Sequence, residues 1–438
     1  MLLYGRSMDP KESLSPEELA VEEELARPPS AFALLSIFRH RNYRIYFFGQ
    51  LVSLMGTWMQ TVAQAWLVYS LTHSPFLLGL TTFCAQVTVF FIAPFGGMLA
   101  DRVDRRRMLL FTQGAAMLQA ALLAGLTLAG IVQVWEIILL ALGLGFINGF
   151  DMPTRQAMNI DMVGEDDLRH AIALNSMMFN LARVVGPSLA GILIAIVGEG
   201  VCFALNAVSF AAVLASLLLM HFPPRARHVR TAPLHEIAEG YRFSFRHPQI
   251  RVSLLLVAVT SCFGAAYLTL LPAFARDILH GSATHYGILM AAVGAGAFIG
   301  AYGLSLIKER WIAQAPVISA AAFGVMLMLF AQSRTLWVAL VCIVPAAMAL
   351  MIVGGTSNTI VQIAAGEHFR GRVISHYSQA FVGMMPWGAL LLGALAEHFG
   401  VREAVTWGGS VVLASATIAW LTRRGERWRL DKLSAPQV

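Results

Sequence analysis

The chain has 438 residues, 57% of them hydrophobic and only 13% charged, where soluble domains carry about 25% charged residues. That deficit argues against an ordinary water-soluble protein and for spans of about 20 apolar residues that cross a bilayer. The net charge of +6, from 31 Lys+Arg against 25 Asp+Glu, would suit nucleic acid, but the arginines sit in short turns between apolar runs, the pattern of membrane orientation.

Residues 1–45 read as a cytoplasmic tail and interfacial elbow. An acidic tract around Glu17, Glu18, Glu22, Glu23 and Glu24 has no sustained apolar core, so no cleavable signal is expected. The apolar stretch Ala31 to Phe38 then leads into Arg39, His40, Arg41 and Arg44. Six spans follow within 46–220, at 46–70, 76–100, 108–130, 134–155, 171–197 and 200–220. The first carries Ser53, Thr57, Gln60 and Gln64, spaced by four, three and four, which puts them on one helix face. Such a stripe lines a water-filled route or makes hydrogen bonds between helices. In the fourth span Asn148, Asp151 and Arg155 share a face, and Asp151 is the leading proton-coupling residue, the plainer alternative being an interfacial ion pair. Glu136 lies near the other end of that span and reads as reaching back to water.

The fifth span holds Ser176, Asn180, Arg183 and Pro187 along one face. Arg183 falls about 12 residues in, hence about 18 Å deep. A charge at that depth costs from about 2.5 to over 10 kcal/mol unless paired or hydrated. It therefore faces a central cavity, where it holds an anionic substrate or tunes a carboxylate, or else it bonds structurally to carbonyls and asparagines.

A polar linker, 221–250, precedes a second set of six spans within 251–422, at 251–273, 284–307, 312–331, 335–357, 374–397 and 402–422, and a cytoplasmic tail, 423–438, closes the chain. Tyr267 and Thr260 in the seventh span, Asn358 and Gln362 at the end of the tenth, and Gln379 and His376 in the eleventh are further cavity candidates, with His376 read as a solvated interfacial histidine. Cys84, Cys202, Cys262 and Cys342 are far apart in apolar runs and read as small buried hydrophobes.

Counting basic residues tests the topology. With twelve spans, 27 of the 31 Lys+Arg fall on the side of the termini, only Arg276, Arg334 and Arg402 fall on the other, and Arg183 lies within a span. One span missed or invented would flip every later loop and destroy this asymmetry. The positive-inside rule then places both termini in the cytoplasm. Since the backbone in lipid must bond to itself, the spans are helices, and two sets of six suggest an all-α protein of two pseudo-symmetric bundles with a site between them.

Between spans two and three stands Gly97-Met98-Leu99-Ala100-Asp101-Arg102-Val103-Asp104-Arg105-Arg106-Arg107. It resembles the signature loop of the major facilitator superfamily, G-x-L-x-D-R-x-G-R-R, with Gly97, Asp101, Arg102, Arg105 and Arg106 in the matching places and Asp104 where the second glycine belongs. Glycine at this place allows close helix approach, and the resemblance implies that Asp101 latches the two halves in the outward-open state. The equivalent stretch of the second half, Gly303 to Arg310, has Ile307 where the acid would stand, so any latch is asymmetric. In the fifth span Gly186-Pro187 and Gly191 resemble the antiporter motif of drug exporters, with Ala173, Ala182 and Ala190 replacing three of its glycines. Pro187 is expected to bend that helix. Phe38 to Arg44, Gly56 to Gln60, Pro153 to Ala157 and Ala171 to Ser176 are similar to one branch, the transmembrane secretion effectors with enterobactin-exporter-like members.

That resemblance implies a secondary transporter that exports small drug-like or siderophore-like molecules by alternating access and proton antiport, as a multi-pass monomer of the plasma (inner) membrane. The alternatives are a proton-coupled importer of a small metabolite and a non-transporting scaffold or receptor on the same fold. The partners are a small-molecule substrate, the lipid bilayer and H+, with no nucleic acid. No Walker loop, HExxH or CxxC motif is present, so neither cofactor, metal nor enzyme activity is expected.

Overall fold

The structure, a computed structural model, describes residues 36–164, 167–220 and 242–424. The acidic tract, most of the expected 221–250 linker and nearly all of the C-terminal tail lie outside the described residues. Twelve long helices run through the rest: α1 (Arg41–Thr72), α2 (Pro75–Arg102), α3 (Arg105–Leu128), α4 (Val134–Val163), α5 (Leu168–Val197), α6 (Glu199–Leu219), α7 (Pro248–Ile278), α8 (Ala283–Ser305), α9 (Ala315–Gln332), α10 (Leu336–Gly366), α11 (Phe369–Phe399) and α12 (Val401–Arg424). The twelve-helix expectation is borne out. All but α1 are long and apolar enough, by composition, to cross a bilayer. α1 falls short because Gln50, Ser53 and Gln60 lie on its buried face, where they bond or pack inside the protein instead of meeting lipid.

Local chemistry starts and stops these helices. Ser74 caps α2, its Oγ accepting the Leu77 N–H at 3.2 Å, with Pro75 in the first turn where no N–H is needed. Asp104 caps α3 by accepting the Arg107 N–H at 3.0 Å. Glu136 accepts the Gln133 N–H at 2.8 Å and so closes the start of α4, a cap instead of the free reach to water expected from sequence. Between α10 and α11 the backbone breaks at Gly366, with φ +60°, a conformation that residues with a Cβ adopt at a cost. α7 contains two π-helical turns, Thr260–Ala265 and Phe274–Ile278, on either side of Pro272.

α1–α6 pack mainly on one another, as do α7–α12, and the two halves meet along α2 against α11 and α5 against α8. Both described chain ends emerge at one end of the molecule, called here the terminal end. The contacts that join the halves gather toward the opposite, distal end. Trp66 stacks on Tyr286 with centroids 6.3 Å apart, and Phe83 meets Trp387 edge-on at 5.1 Å. Gly191 faces Gly287 and Gly79 faces Gly393, so closely that a Cβ on either partner would press into the other backbone. Toward the terminal end Met98, Leu99 and Val103 of α2 and Met177 and Phe179 of α5 are exposed. The contacts between the halves described above thus lie mainly toward the distal end.

Candidate functional site

Arg183 sits half-buried midway along α5, beside the α8 crossing, where a Cβ on Gly294 would touch the Arg183 carbonyl at 3.0 Å. Its Nε is buried without a hydrogen-bond partner among the described residues. Across the seam stands Tyr267 of α7, 1% exposed, whose hydroxyl is also unpartnered and which interacts electrostatically with Arg183. The Tyr267 ring is fixed edge-on against Phe323 and Phe330 of α9. Toward the terminal end, Thr260 Oγ1 in the first π turn of α7 and Ser357 Oγ and Asn358 Oδ1 of α10 are buried and unpartnered as well. A buried polar atom without a partner costs about 1–3 kcal/mol, so this set of donors and acceptors from both halves calls for water or a ligand. Ser357 was not singled out by sequence, because a serine in an apolar helix usually bonds its own carbonyl.

The α1 stripe divides. Gln60, 3% exposed, donates to Gln119 Oε1 of α3 at 3.1 Å and accepts from Asn206 of α6 at 2.7 Å. Ser53 is buried too, while Thr57 and Gln64 are only partly covered. A route lined by all four is thus corrected. Gln60 ties three helices of one half together, and only the edge with Thr57 and Gln64 is left partly uncovered. Asn148 is half-buried on α4, Gln379 exposed on α11, and Asn180 donates at 2.8 Å to the Ser176 carbonyl of its own helix. His376 is 4% exposed with Nδ1 3.0 Å from Ser244 Oγ. It is a packed histidine, against the expectation of a solvated one.

Asp151 is 1% exposed and faces α3. Its Oδ1 accepts from Thr112 at 2.8 Å and Gln113 at 2.7 Å, and its Oδ2 pairs with Arg155 one turn on. Tyr46 and Gln50 of α1 each place an unpartnered buried oxygen on the same bundle's interior. The pair is an interior network, and the interfacial reading is corrected. Thr112 and Gln113 were legible only as polar letters inside an apolar run.

The loop between α2 and α3 is pinned by its arginines. Arg105 donates to Asp161 at 2.9 Å and the Ala157 carbonyl at 2.8 Å, both on α4. Arg106 donates to the Leu217 and Leu218 carbonyls at 2.6 and 2.9 Å, closing the end of α6. Asp101 and Arg102 are exposed, and among the described residues Asp101 reaches only Arg105, at 3.5 Å. Asp104 departs from the signature's glycine because it caps α3. The close approach expected at Gly97 belongs to its neighbour: a Cβ on Gly97 would meet only Pro153 Cβ, at 4.0 Å, whereas one on Gly96 would collide with the Gly149 carbonyl. One residue turns the face by about 100°. On α5, Gly186 accommodates Trp58 of α1, and Gly191 receives α8.

The family model described as transmembrane secretion effector matches residues 31–435. The chain belongs to this family of major facilitators. Within it, the chain is 24% identical over 396 residues to the staphyloferrin A transporter of Staphylococcus aureus, covering 89% of this chain and 98% of that one. It is 29% identical over 265 residues to the enterobactin exporter EntS of Shigella boydii, covering 60% of this chain and 62% of that one. Among solved structures, a mutant of the nucleoside transporter NupG superposes with a TM-score of 0.72 at 12% identity over 87% of this chain and 99% of that one. A bacterial homologue of the human lysosomal transporter Spinster, inward-facing and unoccupied, superposes at 0.70 with 15% identity over 94% of this chain and 100% of that one. At such identities these two show the fold alone. A secretion effector of this kind is a multi-pass membrane transporter of small molecules, and not an enzyme.

Proposed function

We propose that this transporter exports a small siderophore-like or drug-like molecule carrying an anionic group, by alternating access across the inner membrane with both termini in the cytoplasm. The carrying observation is that Arg183 Nε and the Tyr267 hydroxyl, which belong to opposite halves and interact electrostatically, both lack a hydrogen-bond partner among the described residues. An unpaired cation and a phenol donor at mid-depth suit a carboxylate or enolate oxygen. The names of the staphyloferrin A transporter and the enterobactin exporter support the siderophore class and the outward direction. The inter-half contacts gathered at the distal end, together with the basic bias of the sequence toward the termini, suit loading from the cytoplasm. Inward proton flow drives the cycle, with Asp151 as the carrier, and the chain acts as a monomer with no cofactor.

The test is flux in proteoliposomes under an imposed proton gradient, with a panel of siderophores and amphiphilic drugs as substrates. Antiport accumulates substrate on the acidic side. Accumulation on the alkaline side would make the protein an importer, and no flux for any compound would favour a scaffold.

A further inference from the structure

The distal seam is held by two carboxylates, both from α7–α12, and both bind uncharged donors of α1–α6. Asp277, in the last π turn of α7, accepts the Tyr69 hydroxyl from the end of α1. Glu397, near the end of α11, accepts the Ser74 hydroxyl at 2.8 Å and the Phe76 N–H at 3.1 Å. Ser74 is the N-cap of α2 and Phe76 lies in its first turn, so Glu397 supplies from the other half an acceptor that a helix start lacks. Among the described residues neither carboxylate makes an ion pair. The clasp thus depends on charge-assisted bonds to neutral donors, which weaken roughly twofold when the acceptor is neutralised.

We propose that Asp277 and Glu397 are the positioning residues of the distal gate, and that their protonation from the distal side releases it. The inference rests on the alternating-access reading, and it gives the distal face, outside the cell in the proposed topology, a direct hold on the transport cycle. The two carboxylates do not themselves carry protons across, since both are exposed at the same face. Other charged groups surround both carboxylates. Arg276 of α7 and His280 just beyond its end flank Asp277. Tyr69 and the His73 stacked on it face it from α1, and Arg334, Arg402 and Glu403 share with it a cavity of about 650 Å³. Around Glu397 stand Ser74, Phe76 and, electrostatically, Tyr69, with His398 next in chain turned back to the Ala394 carbonyl at 2.9 Å.

The experiment uses the full chain in lipid nanodiscs, with its four cysteines replaced and nitroxide labels at Leu71→Cys and Phe399→Cys across the distal seam. A second labelled pair, Val103→Cys and Ser375→Cys, reads the terminal end. Pulsed electron resonance should show the long-distance distal population rising by about tenfold as the buffer is acidified from about pH 7 to about pH 4. The Asp277→Asn, Glu397→Gln double variant should hold that population high and flat with pH. Tyr69→Phe, which removes a donor and leaves both carboxylates in place, should raise it in part and keep the pH response through Glu397. A distal distance indifferent to pH in the unsubstituted chain, or a pH response surviving in the double variant, would overturn the proposal. If the distal pair opens while the terminal pair does not close, the clasp stands and alternating access fails.

Discussion

Arg183 and Asp151 illustrate opposite solutions for a charge in a bilayer. Asp151 is saturated by Thr112, Gln113 and Arg155, so removing its charge strands Arg155. Asp151→Asn should lower stability by about 3 kcal/mol, read as a fall in the melting temperature of the purified protein. Adding Arg155→Met should recover most of that loss, and if Asp151 carries the proton the recovered protein should still show no gradient-driven flux. Arg183, by contrast, has no ion-pair partner to strand among the described residues. Arg183→Ala should keep folding and expression near normal and abolish export, and unchanged export would remove Arg183 from the site. A third charge sits outside the spans: Asp167 accepts from His40 at 2.6 Å and Arg39 at 2.7 Å, tying the turn before α1 to the start of α5. Those bonds hold its carboxyl below the usual carboxylate range. A depressed folded value means the tie is fully present above pH about 4 and is lost only as pH falls further. Trypsin cleavage around Arg39 and Arg41 should therefore stay slow at neutral pH and become fast in Asp167→Asn.

At the scale of elements, the twelve helices were legible because lipid leaves the backbone one choice and arginines mark the turns. What the letters did not carry was rotation about each helix axis. The stripe Ser53, Thr57, Gln60, Gln64 was recognisable as one face, yet its use depends on α3 and α6 presenting Gln119 and Asn206 opposite Gln60, a meeting of residues far apart in sequence. The signature loop was recognisable down to Asp104 as an oddity, while the packing glycine proved to be Gly96. That register is testable. Gly96→Ala should cost about 1–3 kcal/mol through overpacking against Gly149, whereas Gly97→Ala should change stability by less than about 0.5 kcal/mol. Equal effects in thermal unfolding would place the α2–α4 contact wrongly. The unpaired set at Thr260, Tyr267, Ser357 and Asn358 was only partly visible for the same reason: an orphaned hydroxyl is defined by what fails to stand opposite it.

For the whole molecule, the two halves are joined by glycine contacts along α2–α11 and α5–α8, toward the distal end. Interfaces of this kind are bistable, because close packing tolerates two discrete arrangements better than a continuum. A wedge at the seam should therefore shift the population between states without unfolding either half. A side chain on Gly79 would collide with the Ala389 carbonyl and press on Gly393, and one on Gly287 would press on Gly191 and the Pro187 carbonyl. Each of these contacts joins one half to the other. Gly79→Leu and Gly287→Leu should thus leave the melting temperature nearly unchanged while opening the distal face. In a cysteine-replaced chain, Trp66→Cys, whose ring is now stacked on Tyr286 beneath the seam, should react with an impermeant maleimide added from the distal side several-fold faster in either wedge variant. The same variants should slow labelling of Met177→Cys from the terminal side, since opening one end closes the other. Faster distal labelling with terminal labelling unchanged would mean the wedge loosens the seam locally, and the two halves would then not move as rigid bodies.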